Sequence, residues 1–193
     1  MFFMQLSSSA VAKDNDIATA QQEVLRVTRN IVNDLEINKA KYQANPHLHN
    51  AMIRRQVLPF IDFDAMGKLT LGKHWRTATA SQRIRFINAY REMLMRSYGK
   101  AMLKYSGAKI TAGNSVAKNK PGYVKVRTVV TPKGQAPIKA NYDVRKTSGK
   151  WKAYNVEIAG INLITNFRTN FSREASQKGL DALIARLERS NQR

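Results

Sequence analysis

Two stretches of alternating sequence decide the fold of this chain. Residues 123–131 read YVKVRTVVT, and residues 138–145 read IKANYDVR. In both stretches every second side chain is mainly apolar, and the side chains between them are mostly basic or polar. A period of two is typical of a β-strand with one buried and one solvated face. The two stretches therefore predict paired strands that share an apolar face and a basic face.

The sequence on either side of these strands extends the sheet. A turn at Ser148-Gly149 leads into a third strand, and a short further strand is expected near Lys109–Ala112. One face of the strand after the turn carries Lys152, Tyr154, Val156 and Ile158. The four strands predict an antiparallel meander with a core on one side and solvent on the other.

Helical spacing flanks the meander. Apolar residues at intervals of three, four and seven predict a first helix over about residues 14–42, with Asp14 or Asp16 as its cap. A capping-box pattern opens a second long helix over residues 79–105. A last amphipathic helix is expected over residues 175–189. The predicted fold class is therefore α+β, with one four-stranded antiparallel sheet wrapped by several helices.

The positive charge of the chain is concentrated in its middle. The 193 residues carry a formal net charge of +20, and residues 73–152 contain 19 Lys or Arg against only Glu92 and Asp143. Such a surface attracts a nucleic acid, a lipid surface or an acidic protein, or it serves solubility alone. The chain has no cysteine, which excludes a disulfide framework, a thiolate nucleophile and a cysteine-based zinc site.

The first residues resemble the end of a secretory signal. Ala10-Val11-Ala12 is an A-x-A cleavage pattern, and a polar segment follows from Lys13 onward. The basic start and the longer apolar segment of a complete signal are missing. We therefore interpret residues 1–12 as a residual signal-peptide tail, with a disordered N-terminus as the alternative. Residues 13–193 then form a single domain, and no apolar run in it is long enough to predict a membrane-spanning helix.

Several motifs resemble those of the MlaC (toluene-tolerance) family, in the same order and over about residues 15–190. The family shows a pattern like V-x-P-x-x-D-F, then L-G-x-x-W and a Q-R-x-x-F helix, and later G-K-W-K-x-Y-D-V, G-I-S-L and N-Y-R-x-x-F. The matching segments are Val57–Met66, Leu71–Trp75, Gln82–Phe86, Asn141–Val144, Gly149–Val156, Ile158–Leu163 and Asn166–Phe171. The departures are mild, with Asn155, Asn162 and Phe167 standing where the family usually has Asp, Ser and Tyr.

The resemblance implies a periplasmic phospholipid carrier rather than an enzyme. Members of the family shuttle phospholipid between an outer-membrane lipoprotein–porin complex and an inner-membrane MCE-domain ABC transporter, which maintains the lipid asymmetry of the outer membrane. The implied fold is a helix-wrapped, four-stranded antiparallel sheet that encloses an apolar lipid cavity, so residues 13–193 would be one lipid-binding domain. We expect a monomer that carries phospholipid as cargo and has no cofactor.

A phospholipid carrier has to hide acyl chains from water, and each buried methylene contributes ~0.8 kcal/mol. The expected site is a deep apolar cavity of ~1,000 Å³ or more. Each candidate residue, taken alone, could also belong to an ordinary filled core. The resemblance to the family favours a role in lining a cavity for the candidates as a group. We expect one wall from the apolar sheet face, made of Val124, Val126, Val130, Tyr142, Val144, Tyr154, Val156 and Ile158. We expect the opposite wall from Phe60, Phe63, Met66, Leu69, Leu71, Trp75, Leu94, Tyr98, Ile161, Ile164, Phe167 and Phe171.

Basic residues and methionines complete the expected site. A basic side chain near the cavity mouth would attract the lipid phosphate, because a charge-assisted hydrogen bond is about twice as strong as a neutral one. The candidates for head-group contact or docking are Arg76, Lys152 and Arg168. Flexible thioethers adapt to acyl chains of varied length, and the candidates for this role are Met66, Met95 and Met102.

Two other classes of function remain open at this level. A nucleic-acid-binding module would use the cationic sheet and helix, with Tyr123 and Trp151 stacking on bases. No strand resembles an RNP1 motif, and the phenylalanines are expected inside the protein. A small enzyme on a cone-shaped α+β fold is the other alternative, and the sequence lacks an acid–base constellation for it.

Three polar motifs are the candidates for catalysis or metal binding. We interpret Asp62-x-Asp64 as a cap, with Asp64 preceding the helix it caps. We interpret His47-x-His49 as surface polar residues, because zinc-binding histidines usually lie four residues apart and need a third ligand. We interpret His74 as a structural residue. The sequence therefore predicts no catalytic residue and no metal site.

Overall fold

A long helix, an antiparallel sheet and a layer of shorter helices make up the fold. The computed structural model describes the backbone of residues 5–192 and the side chains of residues 11–192. The helices are α1 (Gln5–Ile37), α2 (Lys39–Ala44), α3 (Pro46–Met52), α4 (Phe63–Leu71), α5 (His74–Thr77), α6 (Ala80–Tyr98), α7 (Leu163–Lys178) and α8 (Leu180–Asn191). The chain also forms a π-helical turn, Ile53–Val57, and two 3-10 segments, Leu58–Phe60 and Lys100–Tyr105. Within the described residues, no helix combines the length and the apolar character needed to cross a membrane.

The sheet keeps the predicted antiparallel meander but has six strands, rather than four, within residues 5–192. The strands are β1 (Lys109–Ala112), β2 (Val116–Ala117), β3 (Tyr123–Thr131), β4 (Ile138–Thr147), β5 (Lys150–Ile158) and β6 (Ile161–Asn162). Their order is β1-β3-β4-β5-β6, and β2 also pairs with β3. β1 and β2 are two halves of one edge, because they pair with successive parts of β3. The extra strands are thus a divided edge and a two-residue strand that pairs with the end of β5.

The alternation that predicted β3 is confirmed, and so is the turn before β5. Side chains at even positions of β3, from Val124 to Val130, are buried, and those between them are partly exposed. Ser148 and Gly149 have φ angles of 49° and 75°. Positive φ at both central residues is what the type I′ turn of a two-residue hairpin requires. Local sequence therefore determines both the strand period and the hairpin.

A β-bulge interrupts the pairing of β4 with β5. Asp143 pairs with Asn155, but the next residue, Val144, pairs with Ala153. Tyr154 is therefore an extra residue on β5 with no partner of its own on β4. In the half of β5 between the hairpin and the bulge, the alternation of side chains between the two faces is therefore shifted by one residue relative to the other half.

The bulge reverses the predicted faces of β5 near the hairpin. Trp151 and Ala153 are buried in the core that faces α1. Tyr154 instead packs against Tyr123 on the opposite face, with a centroid distance of 5.7 Å. The prediction that Tyr154 shares the face of Val156 is therefore wrong, because a strict period of two does not continue through a bulge.

The first helix begins earlier than predicted. α1 starts at Gln5 rather than at the expected caps, Asp14 and Asp16, because no Pro or Gly interrupts the sequence from Gln5 to Ile37. It also ends at Ile37, and the remainder of the predicted helix is the separate α2. Residues 5–12 of the predicted signal tail thus belong to α1, and residues 1–4 lie outside the described residues. The interpretation as a signal tail stays a prediction.

The capping box at the start of α6 is confirmed. The Gln82 backbone N–H donates to Thr79 Oγ1 at 3.1 Å, and the Thr79 backbone N–H donates to Gln82 Oε1 at 2.9 Å. Regular helix ends at Tyr98, earlier than the predicted residue 105, and the 3-10 segment follows. The predicted helix over residues 175–189 is divided, because Gly179 adopts a φ of 84° and separates α7 from α8.

Three apolar clusters hold the layers together. In the first, α1 lies on the sheet, where residues such as Val24 and Leu35 pack with Val126 and Val144. In the second, α4, α6, α7 and α8 surround an aromatic group that includes Phe86, Tyr90 and Phe171. The third is smaller and consists of Ala108, Ile110, Val130 and Ala140. The space between the three clusters is not completely filled.

Candidate functional site

An apolar cavity of about 360 Å³ lies where the three clusters meet. α1 and the sheet contribute Val27, Thr28, Ile31, Val32, Leu35, Ile110, Val130, Ile138, Ala140, Tyr142, Val156 and Ile158. The turns between α3 and α4, and α4 itself, contribute Ile53, Val57, Leu58, Phe60, Ile61, Phe63 and Met66. α6, the 3-10 segment and the chain around β6 contribute Arg91, Leu94, Met95, Tyr98, Gly99, Ala101, Met102, Tyr105, Ala159, Ile161 and Leu163.

The lining of the cavity is almost free of charge. Of the thirty lining residues in the described part of the chain, only Arg91 carries a charge. The Thr28 hydroxyl donates to the Val24 carbonyl at 2.7 Å, so it presents no unsatisfied donor to the cavity. Burial raises the pKa of Tyr142 to about 12, which keeps this phenol neutral at physiological pH. The described lining therefore suits hydrocarbon except at Arg91, whose Nε is buried without a hydrogen-bond partner.

Ten of the twenty residues predicted as walls line the cavity. They come from both expected walls, so the sheet and the helices do face one another across it. The ten residues are Phe60, Phe63, Met66, Leu94, Tyr98, Val130, Tyr142, Val156, Ile158 and Ile161. The three methionines expected to adapt to cargo, Met66, Met95 and Met102, also lie in the lining.

The other ten predicted wall residues lie outside this lining, and a role for them in lipid binding stays a prediction. Val124, Val126 and Val144 are fully buried beneath α1, where helix side chains fill the space above the sheet. Tyr154 lies on the opposite face because of the bulge. The rest belong to α4, α5 and α7 and pack with one another or face solvent: Leu69, Leu71, Trp75, Ile164, Phe167 and Phe171.

Much of the lining consists of residues whose sequence pattern does not indicate a place in a cavity. Val27, Ile31 and Leu35 belong to the apolar stripe of the predicted first helix, but nothing in the pattern indicates which part of the sheet that stripe covers. Ile53 and Leu58 lie in the π-helical and 3-10 turns, which have no simple period. The available signal was the apolar character of the segment. It predicted that these side chains are buried, but not which part of the protein they contact.

The cavity is smaller than the ~1,000 Å³ expected for a complete diacyl lipid. Ile31 of α1 and Phe60 of the turns before α4 are among the side chains that bound it. Accommodation of two full acyl chains therefore requires these walls to move apart. The thioethers in the lining can change rotamer at low cost, since Met has three rotatable side-chain bonds.

The three predicted head-group residues do not lie at the cavity. Arg76 and Arg168 are exposed on the helical layer, and neither belongs to the lining. Arg168 instead packs over Gly72, where a Cβ atom would lie 3.2 Å from its Nε. Lys152 lines a different recess on the far side of Phe60. The charged group at the cavity is Arg91, which the sequence analysis did not select.

That second recess is a polar groove of about 790 Å³ between α1, the turns before α4 and the start of β5. Its lining includes Glu23, Arg26, Asp34, Arg55, Lys150 and Lys152. Asp34 accepts hydrogen bonds from the Tyr42 hydroxyl at 2.6 Å, from Asn38 Nδ2 at 2.8 Å and from Gln56. Burial alone would raise the pKa of Asp34, but these hydrogen bonds together lower it.

The polar motifs have structural partners. Asp62, rather than Asp64, caps α4 by accepting from the Ala65 backbone N–H at 3.0 Å, and it also accepts from Arg145 Nε at 2.6 Å. His49 is buried beside Tyr42, so the interpretation as a surface residue is wrong for it. Among the described residues, no three His, Asp or Glu side chains cluster in a way that could hold a metal ion.

The side chains proposed for base stacking are not presented as a platform. Trp151 is 6% exposed, and its indole N–H donates to Thr19 Oγ1 on α1 at 3.1 Å. Tyr123 packs edge-on against Tyr154 and beneath the ammonium of Lys120. Stacking of successive bases needs exposed aromatic faces, so this arrangement does not favour the nucleic-acid alternative.

The MlaC protein family matches this sequence over residues 25–189. The chain belongs to the MlaC family. It is 24% identical over 188 residues to the intermembrane phospholipid transport system binding protein MlaC of Haemophilus influenzae, a match that covers 96% of this chain and 86% of that protein. It is 30% identical over 164 residues to the toluene tolerance protein ttg2D of Pseudomonas putida, with 84% and 76% covered. Neither name describes an enzyme.

A solved structure shares the fold of this member of the family. The phospholipid-binding protein from Ralstonia solanacearum, determined in complex with a phospholipid, matches with a TM-score of 0.80 at 22% sequence identity. The match covers 89% of this chain and 96% of the other. It confirms the predicted α+β architecture of a helix-wrapped antiparallel sheet.

Proposed function

We propose that this chain is a periplasmic phospholipid carrier that holds acyl chains in the apolar cavity. The observation that carries the proposal is a cavity of thirty residues with a single charged side chain, placed between a sheet and helices. The membership of the MlaC family and the name of the Haemophilus influenzae relative support the same function. The ten predicted wall residues that line the cavity are the proposed lipid-binding residues, together with the α1 and turn residues beside them.

The energetics of the cavity suit a carrier that exchanges its cargo. Each methylene removed from water contributes ~0.8 kcal/mol, so two full acyl chains in a matched cavity would be held too firmly to leave into water. Release is therefore proposed to occur where a partner offers its own apolar path. The net direction of lipid transfer then follows the relative affinities of the carrier and its partners for the lipid.

The proposed partners lie at the two membranes. We propose that the chain receives or delivers phospholipid at an outer-membrane lipoprotein–porin complex and at an inner-membrane MCE-domain ABC transporter, and so supports outer-membrane lipid asymmetry. The basic residues in residues 73–152 suit docking to anionic surfaces at both sites. Residues 1–12 are proposed to be the remainder of an export signal, in keeping with a periplasmic location.

Native mass spectrometry of the protein purified from bacteria tests the carrier proposal. We expect a mass increment of stoichiometric phospholipid, identified after solvent extraction. A protein that carries no lipid under these conditions, and that takes up none from phospholipid vesicles, would overturn the proposal. Nucleic-acid binding that survives physiological salt would favour the alternative, because nonspecific phosphate contacts weaken steeply as salt rises.

A further inference from the structure

Among the residues that the structure describes, Arg91 is the one charged side chain in the lining of the apolar cavity. It lies on α6 one turn before Leu94 and Met95, which also line the cavity. Its side chain is 34% exposed, so it lies at the boundary between the hydrocarbon-like interior and water. No other part of the described lining combines contact with the cavity and a permanent charge.

The guanidinium of Arg91 is incompletely paired. Its Nη2 donates to Asn88 Oδ1 at 2.8 Å. Its Nε is buried and has no hydrogen-bond partner among the described residues. The nearest carboxylate, Glu92, has Oε1 3.9 Å from Nε, beyond hydrogen-bond distance. That carboxylate is already held by Arg54 through two hydrogen bonds of 2.8 and 2.6 Å.

Other arginines of α6 differ from Arg91 in this respect. Arg85 binds the Glu188 carboxylate through Nε at 3.0 Å and Nη2 at 2.7 Å. Arg83 donates from Nε and Nη2 to the Trp75 carbonyl at 3.2 and 2.9 Å. Both have acceptors within the fold. Arg91 is thus the arginine of this helix that combines an unpaired buried donor with contact to the cavity.

A buried donor without an acceptor and a charge beside an apolar space are both unfavourable, and one ligand chemistry relieves both. An amphiphile with its acyl chains in the cavity places its polar group at the boundary. If that group is an anionic oxyacid, its oxygens accept hydrogen bonds from the guanidinium and balance its charge. A neutral amphiphile such as diacylglycerol offers no such charge.

We propose that Arg91 binds the phosphodiester of the cargo lipid and selects phospholipids over neutral diacyl lipids. The inference rests on the proposed function, since the acyl chains have to occupy the cavity for the phosphate to reach Arg91. A fatty-acid carboxylate has related chemistry, and the experiment separates it from the phosphodiester.

The test is a competition between phosphatidylglycerol and diacylglycerol with the same acyl chains, followed by native mass spectrometry. The full chain is compared with Arg91→Met, which keeps an apolar stem of similar length, and with Arg91→Lys, which keeps the charge. Arg96→Met is the matched control, because Arg96 is exposed on the same helix and outside the lining. A hydrogen bond to a charged group corresponds to about a 10- to 100-fold difference in affinity.

The expected result is a preference for phosphatidylglycerol in the unmodified protein that falls about 10- to 100-fold in Arg91→Met. Arg91→Lys should keep part of the preference for phosphatidylglycerol, and Arg96→Met should keep all of this preference. An Arg91→Met variant with the unmodified preference would overturn the inference while leaving the carrier proposal intact. Binding of neither lipid by the unmodified protein would overturn the carrier proposal itself. Palmitate binding is measured on the same variants. If Arg91→Met loses palmitate binding and keeps the phospholipid preference, Arg91 binds a carboxylate, and the assignment to the phosphodiester is overturned.

A second measurement needs no substitution, so it also covers a variant that fails to fold. Unmodified protein labelled with 15N in arginine is loaded with phosphatidylglycerol and studied by phosphorus-detected NMR. We expect a through-space correlation between the lipid phosphorus and the Arg91 guanidinium protons. A correlation to other arginines and none to Arg91 would overturn the inference.

Discussion

The cavity and the polar groove adjoin each other, yet they suit different ligands. Val27 and Phe60 contribute to both linings, so a thin partition separates the two recesses. The groove is the larger, at about 790 Å³ against about 360 Å³, but six of its fifteen lining residues are charged. Hydrocarbon gains nothing from a larger space lined by solvated ions. The composition of the lining, and not its volume, indicates where acyl chains go.

Helix α1 accounts for much of the difference, because it presents a different face to each recess. Its apolar face, with Ile31 and Leu35, lines the cavity, and its polar face, with Asn30 and Asp34, lines the groove. Because a helix has a period of 3.6 residues, an amphipathic helix between two recesses presents apolar side chains to one and polar side chains to the other. The partition can therefore be tested by altering one side at a time.

Removal of the partition should have the largest effect. Phe60 is 7% exposed and packs near Tyr142, with a centroid distance of 6.4 Å. Phe60→Ala should lower the free energy of unfolding by about 3 kcal/mol, because it removes a buried ring and leaves a void. Urea unfolding of lipid-free protein measures this, since bound lipid would add its own stabilisation. A loss below about 1 kcal/mol would mean that Phe60 does not support the partition.

Filling one recess at a time should separate their roles. Ile158→Trp places a larger side chain in the cavity, and Asn30→Trp places one in the groove. Overpacking costs about 1–3 kcal/mol, so Ile158→Trp should lower phospholipid affinity about tenfold, while Asn30→Trp should leave it unchanged. Lipid occupancy by native mass spectrometry is the readout, with circular dichroism to check the fold. The reverse pattern would assign the lipid to the groove.

A pH dependence should distinguish the groove from the cavity. The pKa of Asp34 is lowered in the folded protein, where burial opposes the shift and the hydrogen bonds outweigh it. The carboxylate therefore stabilises the fold above its ordinary value of 3.8, and this stabilisation is lost as the pH falls below that value. Asp34→Asn should lower stability by about 1 kcal/mol or less at neutral pH, and by nothing at pH values well below 3.8. Thermal unfolding at several pH values measures it, and an equal effect at neutral and acid pH would contradict the assignment.

Features of the fold that depend on neighbouring residues in the chain could be predicted from sequence. The strand period, the Ser148-Gly149 turn and the capping box at Thr79 depend on neighbours along the chain, and all three are confirmed. The bulge at Tyr154 depends on pairing with β4, and one extra residue reversed the faces near the hairpin. Local pattern therefore determined the elements but not their register throughout.

The predicted walls differ from the lining of the cavity where the sequence indicated that a residue is buried but not what it contacts. Phe167 and Phe171 have the apolar spacing of a helix, and they are largely hidden from solvent, but they pack with Tyr90 in the helical layer. Ile31 has the same kind of spacing and lines the cavity instead. Periodicity gives the side of a helix that is buried and says nothing about what lies opposite. Which apolar stripe faces a space depends on contacts distant in sequence.

The smallest effect is expected from the three basic residues that the sequence first suggested for head-group contact. Arg76, Lys152 and Arg168 lie outside the cavity lining, so substitution of each by Gln should change phospholipid affinity by no more than about twofold. A charge acts strongly on a ligand only when it lies at the ligand without intervening water, because solvent and salt screen it elsewhere. Vesicle-loading assays at physiological salt measure the change. A tenfold loss in Lys152→Gln would place the phosphate in the groove, and the separation of the two recesses by charge would then be incorrect.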